Sequence, residues 1–207
     1  MTKSPPESES RRLEGLWSGD FGCAYTERNA AAGLGREQFW RDLLAEIEVT
    51  TVLEVGCNVG ANLRWLAELL EPRNVYGVDV NEDALARVRR SLEGVNALFG
   101  TARELPFRDR FFDLTFTTGV LIHVSPSALP LAMAELVRSS GRYVLCGEYY
   151  AEEPVEVPYH GETGALFKRD FGRLYLELFP ELALLRQGFL GREDGWDDVT
   201  WWLFERT

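Results

Sequence analysis

Short apolar runs that alternate with amphipathic segments constrain the fold of this chain most strongly. The runs TVLEV and NVYGVDV are each followed by a segment with helical spacing, and NALF, FFDLTFTTGV and GRYVLCGEYY add further strand candidates. The apolar residues within the runs are continuous, which is typical of parallel strands covered on both faces. The pattern predicts an α/β fold with a Rossmann-like, doubly wound and mostly parallel sheet.

The C-terminal part follows a different pattern. A helix candidate, FKRDFGRLYLELF, precedes the runs LALLRQGFL and VTWWLFER, which are separated by the turn-rich GREDGWDD. Two strands joined in this way are expected to be antiparallel neighbours. The sequence therefore predicts a parallel sheet that ends in an antiparallel hairpin at one edge.

A single domain is expected, because 207 residues, 45% of them hydrophobic, can build one sizeable core but not two ordinary ones. Residues 1–12 are rich in Ser, Pro and Glu and are predicted to form a flexible tail. Residues 13–35 mix aromatics and glycines without a clear period, which indicates an irregular, lid-like segment. The domain itself is predicted over 36–207 and begins with an amphipathic helix from Arg36 to Glu48.

Charge and composition narrow the range of partners. The 22 basic and 33 acidic side chains give a net charge of −11, which repels nucleic-acid phosphates and anionic membranes. No apolar run is long enough to cross a bilayer and the first residues are polar, so a cytoplasmic protein is expected. Three scattered cysteines and two isolated histidines favour reduced thiols and no metal site. Nothing in the sequence indicates the oligomeric state.

The residues after the first two strands are expected to form a ligand site, because open α/β sheets bind ligands at the carboxyl ends of their strands. Glu54 to Gly60 form a glycine turn that opens a helix, and Asp79 ends the second strand. Glycines let the backbone approach a ligand, and a carboxylate can accept hydrogen bonds from ribose hydroxyls. Asn58 stands where a dinucleotide fingerprint has its second glycine, which favours a phosphate-free nucleoside over NAD.

The chain closely resembles class I S-adenosylmethionine-dependent methyltransferases over roughly residues 37–206. The resemblance rests on EVGCNVGANL, VYGVDVNEDAL, TARELPFRDRFFDLTFTTGVLIHV and the closing hairpin. More narrowly, LIHVSP, EYYAEEPVEVPYHGE and LFKRDF look like the group labelled pseudaminic-acid-biosynthesis-associated methylases. That label is an association with a pathway and not a substrate.

The resemblance implies S-adenosylmethionine as the cofactor and assigns residues to its parts. The residues expected around the methionine part are Glu54, Gly56, Asn58 and Gly60. Asp79 is expected on the ribose, and the residues expected beside the adenine are Val80, Thr101 and Ala102. In the N-terminal segment, the residues expected to bind the cofactor's carboxylate or close the site are Tyr25, Arg28 and Asn29, with helix capping and packing as the alternative.

On the acceptor side, His123 follows the fourth strand and is predicted to deprotonate or orient a nucleophile, the alternative being a helix-entry residue bonded to backbone. Glu148 and Tyr149 end the fifth strand with Tyr150 and are predicted to line an acceptor pocket, the alternative being aromatic packing. The long connection before the last helix carries a further polar cluster of candidate binding groups, the alternative being solvated or capping side chains: Tyr159, His160, Glu162, Lys168, Arg169 and Asp170. Lys168 and Arg169 are candidates for binding a carboxylate. The tryptophans, including Trp17 and Trp196, are expected to be packing residues.

Three functions remain open at this point. The leading one is transfer of the cofactor's methyl group to a small molecule, since the chain offers little room for a large acceptor. A second is cyclisation of S-adenosylmethionine itself to azetidine-2-carboxylate and methylthioadenosine, as in related methyltransferase-like cyclases. The third is a binding module without catalytic activity.

Overall fold

The structure, a computed structural model, describes residues 6–29 and 33–207. Seven helices are present in the described part of the chain: α1 Pro6–Ser18, α2 Asp20–Arg28, α3 Glu37–Glu46, α4 Leu63–Leu69, α5 Glu82–Ser91, α6 Leu129–Ser139 and α7 Phe171–Leu178. The strands are β1 Val52–Val55, β2 Val75–Asp79, β3 Asn96–Phe99, β4 Phe112–Thr118, β5 Ser140–Glu148, β6 Val155–Glu156, β7 Phe167–Lys168, β8 Leu182–Leu190 and β9 Val199–Arg206. Short 3-10 helices cover Pro72–Asn74, Leu121–His123 and Arg192–Asp194.

The main sheet has seven strands in the order β3-β2-β1-β4-β5-β9-β8. The strands β1 to β5 are mutually parallel, whereas β9 runs antiparallel to β5 and β8 antiparallel to β9. The predicted fold class is confirmed, including the antiparallel hairpin at one edge. The strand order reverses between β1 and β4, so a ligand site is expected at the carboxyl ends of these two strands.

Helices cover both faces of the sheet, which explains the continuous apolar runs. On one face, side chains of α3, α4 and α5 pack against the strands, with Trp40 and Leu63 fully buried. On the other face, α6 and α7 pack against the strands around Met133, Phe171 and Tyr175. Removing this apolar area from water on both faces is the main force that holds the strand ends in fixed relative positions.

The N-terminal segment differs from the sequence prediction. Residues 6–12, expected in a flexible tail, belong to α1, and most of 13–29, expected to be irregular, lies in α1 and α2. These residues form helices because their side chains are buried against distant parts of the chain. Leu13 is 3% exposed and packs with Ala165 and Phe167, and the Ser10 hydroxyl lies 2.9 Å from that of Ser125. The predicted tail residues 1–5 and the lid residues 30–32 lie outside the described residues.

Candidate functional site

A cavity lies at the carboxyl ends of the central strands, and residues of α1 and α2 form part of its wall. The sheet supplies the floor through the turns after β1, β2 and β4. The cavity brings together most of the predicted site residues: Tyr25, Asn29, Glu54, Gly56, Asn58, Asp79, Val80, Thr101, Ala102, His123, Tyr149 and Tyr159. Residues from one end of the chain to the other therefore meet at the switch point of the sheet.

The turn after β1 is held by Asp79 at the end of β2. The Asn58 backbone N–H donates to Asp79 Oδ2 at 2.8 Å, and the Asn81 backbone N–H donates to Oδ1 at 2.9 Å. Burial raises the pKa of Asp79, while these backbone N–H groups act in the opposite direction. Each oxygen can accept a further bond, so Asp79 both fixes the turn and offers a carboxylate to the cavity.

Backbone conformation in this turn explains two of its residues. Gly56 has φ of 78°, and a Cβ there would lie 2.3 Å from a methyl group of Val120, so a side chain is excluded. Asn58 also has a positive φ, 44°, a region in which asparagine is tolerated. Its Oδ1 accepts from the Thr26 hydroxyl at 2.9 Å, which ties α2 to the turn.

The structure corrects two of the cofactor assignments. Gly60 does not line the cavity; it has φ of 77°, and a Cβ there would contact Leu92 and Val88 of the neighbouring helix region. Its role is to let the turn enter α4. Arg28 is exposed and also lies outside the cavity wall, with its guanidinium 5.8 Å from the centre of the Tyr25 ring. The local sequence could not show which face of α2 turns inward.

Glu54 is buried in the cavity wall within a polar network. Asn62 Nδ2 donates to Glu54 Oε1 at 2.6 Å and to the Thr118 hydroxyl at 3.1 Å. Arg36 Nη1 donates to Asn62 Oδ1 at 3.1 Å, and its charge favours an ionised Glu54. Burial dominates and raises the pKa of Glu54 to about 8. Glu54 is therefore mostly protonated at neutral pH until a cation reaches it.

Three buried polar atoms without a hydrogen-bond partner belong to residues of the cavity wall. They are Glu54 Oε2, Trp17 Nε1 and Trp196 Nε1. A buried polar group without a partner costs about 1–3 kcal/mol. Their grouping around one cavity indicates a polar ligand that supplies the missing partners. Trp17 and Trp196, expected to be packing residues, are thus part of the site.

His123 lies in the cavity wall within the 3-10 helix Leu121–His123. Its Nδ1 is 2.6 Å from the Ala165 carbonyl oxygen, which can only accept, so Nδ1 carries the proton. Burial lowers the pKa of His123 to about 4. The ring is therefore neutral at pH 7, and Nε2 is a hydrogen-bond acceptor. A base of such low pKa is poorly matched to proton removal at neutral pH, so the arrangement favours orientation of a nucleophile.

Glu148 does not line the cavity, which corrects its predicted place in the acceptor pocket. Its Oε1 accepts from the backbone N–H groups of Val120 and Leu121 at 3.2 and 3.0 Å, and Oε2 accepts from Ile122 at 3.3 Å. Burial raises the pKa of Glu148 to about 7. The side chain therefore fixes the loop that presents His123, and acts by positioning.

The other predicted site residues, which end β5 or follow it, differ in whether they line the cavity. Tyr149 and Tyr159 line the cavity, whereas Tyr150 is 47% exposed and lies outside it. The rest of the polar cluster is also outside the cavity wall: His160, Glu162, Lys168, Arg169 and Asp170. Asp170 accepts from the Arg173 backbone N–H and caps α7. The cluster is therefore not brought together as one site.

Several residues of the cavity wall were not predicted from the sequence: Ser10, Glu14, Arg36, Asn62, Asn81, Arg103 and Asp197. Arg103 pairs with Glu14 through two contacts of 2.8 and 2.7 Å, which hold α1 over the loop after β3. Asn62 could have been found as the polar residue that follows the glycine turn. The others come from distant parts of the chain and carry no local signal.

The described residues contain no group of three or more His, Cys, Asp or Glu side chains that could hold a metal ion. Cys23, Cys57 and Cys146 are free thiols. None of the helices described is long and apolar enough to span a membrane.

Comparisons with known proteins agree with this geometry. Residues 52–140 match the family model described as a methyltransferase domain. A fatty-acid O-methyltransferase of Mycolicibacterium smegmatis is 38% identical over 71 residues, which are 33% of this chain and 26% of that protein. The match thus spans about a quarter of the relative's length.

Solved structures resemble the whole chain. A 1,6-didemethyltoxoflavin N1-methyltransferase of Burkholderia thailandensis, solved with that compound and S-adenosylhomocysteine, has a TM-score of 0.76 and 16% identity. The likeness covers 100% of this chain and 92% of that one. A magnesium protoporphyrin IX methyltransferase of Synechocystis, solved with bound S-adenosylmethionine, has a TM-score of 0.67, 10% identity and full coverage of both chains. The fold is that of class I methyltransferases.

Proposed function

We propose that this protein is an S-adenosylmethionine-dependent methyltransferase that acts on a small molecule. The observation that carries the proposal is the pairing of Glu54 and Asp79 at the ends of neighbouring strands, inside the matched segment 52–140. Both carboxylates face one cavity, and one oxygen of Glu54 lacks a partner. The structural neighbours that bind S-adenosylmethionine or its product support the same cofactor.

The residues present fit this cofactor. Asp79 retains acceptor capacity for the ribose hydroxyls after its two backbone bonds, and the wall beside it offers Val80, Thr101 and Ala102 for the adenine. At the other end, Glu54 Oε2 suits the ammonium group of the methionine part. Arg36 uses Nε and Nη1 for Gly195 and Asn62, so Nη2 can face the carboxylate.

When bound, S-adenosylmethionine supplies an activated methyl group on a sulfonium. The chain's own residues then align the acceptor and exclude water. His123 Nε2 is an acceptor that can hold an N–H or O–H group of the nucleophile, and Glu148 holds its loop. The helices α1 and α2 cover the cavity through Trp17 and Tyr25.

Among the alternatives, the comparisons reported above are with methyltransferases and do not support cyclisation of S-adenosylmethionine. The resemblance to pseudaminic-acid-associated methylases stays a prediction, as does a cytoplasmic location. A binding module without activity is disfavoured because His123 presents an unused acceptor nitrogen to the cavity.

Product analysis tests the proposed function. The protein is incubated with S-adenosylmethionine and a mixed pool of small amines, alcohols and carboxylic acids, and the nucleoside products are measured by mass spectrometry. We expect S-adenosylhomocysteine, at a rate that depends on the pool. Methylthioadenosine formed without any acceptor would contradict methyl transfer. Binding of S-adenosylmethionine without either product would favour the inactive module.

A further inference from the structure

The acceptor end of the cavity is an aromatic chamber, here defined by Trp17, Tyr25, His123, Tyr149 and Tyr159. The Trp17 ring lies 4.4 Å from that of His123 and 5.2 Å from that of Tyr25, between ring centres. The His123 and Tyr159 ring centres are 4.9 Å apart. Such walls favour a ligand that is flat, apolar or cationic.

Asp197 is a carboxylate of the cavity wall whose charge acts on this chamber. The other carboxylates of the described wall are Glu14, which pairs with Arg103, and Glu54 and Asp79, which we assign to the cofactor. Asp197 is exposed at the rim, in the connection between β8 and β9. Burial raises the pKa of Tyr25, Tyr149 and Tyr159, and the negative charge of Asp197 raises the pKa of each further. The charges of Arg28 and Arg36 act in the opposite direction on the pKa of Tyr25, and the charge of Arg28 does so on the pKa of Tyr159.

The chamber offers hydrogen-bond acceptors more than donors. His123 Nε2 and the Asp197 carboxylate accept, and the phenol hydroxyls can do either. The cations of the described cavity wall are Arg36 and Arg103. Arg103 pairs with Glu14, and Arg36 donates to Gly195 and Asn62 and keeps Nη2 for the carboxylate of the cofactor. Two further cations flank the chamber from outside the cavity wall: the Arg28 guanidinium lies 5.8 Å from the Tyr25 ring centre, and Lys168 Nζ lies 5.4 Å from the Tyr149 ring centre. Within the wall, a donor-rich cationic group finds acceptors in His123 and Asp197.

We infer that the acceptor is a small amine, which the aromatic chamber and Asp197 select over alcohols and carboxylates. The inference rests on the proposed function and names its substrate class. Aromatic faces and a nearby carboxylate both stabilise an ammonium group. The His123 acceptor can align a neutral amine through its N–H.

The reaction balances without a further reagent. The bound ammonium first loses a proton to solvent. The lone pair of the resulting neutral amine then forms a bond to the methyl carbon, and the bond from this carbon to sulfur breaks with its electron pair going to sulfur. S-adenosylhomocysteine and a methylated ammonium result, and the ammonium loses its proton to solvent. The positive charge thus moves from sulfur to nitrogen, next to Asp197 and the tyrosine faces.

A binding experiment in the presence of S-adenosylhomocysteine tests the inference. The protein is saturated with S-adenosylhomocysteine, and benzylamine, benzyl alcohol and benzoate, which share a ring and differ in charge, are titrated by ligand-observed NMR. We expect benzylamine to bind at least about fivefold more tightly than the other two. We also expect Asp197→Asn to weaken benzylamine binding about fivefold, as for a charge-assisted contact.

The neighbouring Asp198 provides the matched control. Asp198 does not line the cavity and lies 3.2 Å from Arg192 Nε, so Asp198→Asn should change benzylamine binding less than twofold. Equal or tighter binding of benzoate, no binding of benzylamine, or an unchanged affinity in Asp197→Asn would each overturn the inference. The proposed function fails separately, if the protein does not bind S-adenosylhomocysteine in the first step.

Discussion

The two ends of the cavity are built in different ways. The cofactor end comes mainly from the turn after β1, the end of β2 and the loop after β3, all within residues 52–140, with the addition of Arg36, the residue before α3. The acceptor end brings together Trp17 from α1, His123 after β4, Tyr159 from the connection after β5 and Asp197 from the final hairpin. One end is thus local in sequence, and the other is assembled only by the fold.

This difference explains why the family model matches only residues 52–140. Backbone turns and strand-end carboxylates are needed for one shared ligand, so they form compact motifs that a family model can match. The aromatic chamber depends on side chains outside or at the border of the matched segment, with the exception of His123. The chamber is therefore where we expect this chain to differ from its relatives.

The largest expected effect is at the cofactor end. Asp79→Ala should weaken S-adenosylmethionine binding by roughly 1.5–3 kcal/mol, the range for hydrogen bonds to a charged group. Asp79→Asn should weaken S-adenosylmethionine binding less than Asp79→Ala does, because one oxygen remains to accept a backbone N–H and a ribose hydroxyl. Calorimetry on folded variants measures both. Asp42→Ala, on the exposed face of α3, is the control, and an unchanged affinity in Asp79→Ala would refute the assignment.

At the acceptor end, His123→Ala should lower turnover by about 10- to 100-fold while cofactor affinity changes little. Because burial lowers the pKa of His123 to about 4, we expect orientation to dominate, so His123→Asn should keep more activity than His123→Ala. Steady-state kinetics at pH 7 to 8 tests this order. His160→Ala, outside the cavity wall, is the control. Wild-type turnover in both His123 variants would remove the residue from the mechanism.

The sequence was sufficient for the local part of this architecture. The strand runs and the closing hairpin follow from short-range patterns, and the structure confirms them. The glycine turn and Asp79 lie at the carboxyl ends of β1 and β2, although Gly60 does not line the cavity. The orientation of Glu148 was not predictable, since a carboxylate at a strand end looks the same whether it faces a ligand or a neighbouring loop. The backbone N–H groups of Val120 and Leu121 donate to Glu148 and hold its carboxylate against their loop, and both residues lie far from Glu148 in sequence.

The N-terminal helices show the same limit. The tail composition around Ser10 contains no strong helical signal, and α1 is held by contacts with Ser125, Ala165 and Arg103, which are distant in sequence. Composition reports what a segment can bury by itself. It does not report the apolar surface that the rest of the fold offers to it.

A smaller effect is expected from the ion pair that links the two ends. Arg103 and Glu14 are partly buried, and their two contacts hold α1 over the cavity. Arg103→Gln and Glu14→Gln should each raise the Kd for S-adenosylmethionine about two- to tenfold. The double variant should bind S-adenosylmethionine only slightly more weakly than either single variant. Fully additive losses would show that the pair does not act as a unit. Arg89→Gln, in the exposed pair with Glu82, is the control.

The smallest effect on turnover is expected for Glu148→Gln, which keeps an oxygen for Val120 and Leu121. The effect of this substitution should appear in the way the stability of the protein depends on pH. The folded pKa of about 7 lies above the ordinary value near 4.3, so the neutral form stabilises the fold at low pH and this contribution is lost as pH rises to about 7. The variant should therefore show a flatter fall in Tm between pH 5 and 8.

Glu54, with its pKa raised to about 8, leaves a residual slope of the same sign in that variant. Differential scanning calorimetry across this pH range provides the comparison, with the exposed Glu153→Gln as control. An identical slope in wild type and Glu148→Gln would show that Glu148 is already ionised at low pH in the folded protein.

Calorimetric titration of S-adenosylmethionine at pH 7, in buffers of different ionisation enthalpy, tests the central claim most directly. We expect one molecule bound per chain and release of a proton, because Glu54 is mostly protonated before an ammonium group reaches Oε2. Affinity should then rise from pH 6 to a maximum at about pH 8 and fall above it, because the α-ammonium group of S-adenosylmethionine itself loses its proton there. NAD should give no heat of binding. Binding of NAD without binding of S-adenosylmethionine, or no binding of either, would contradict the account.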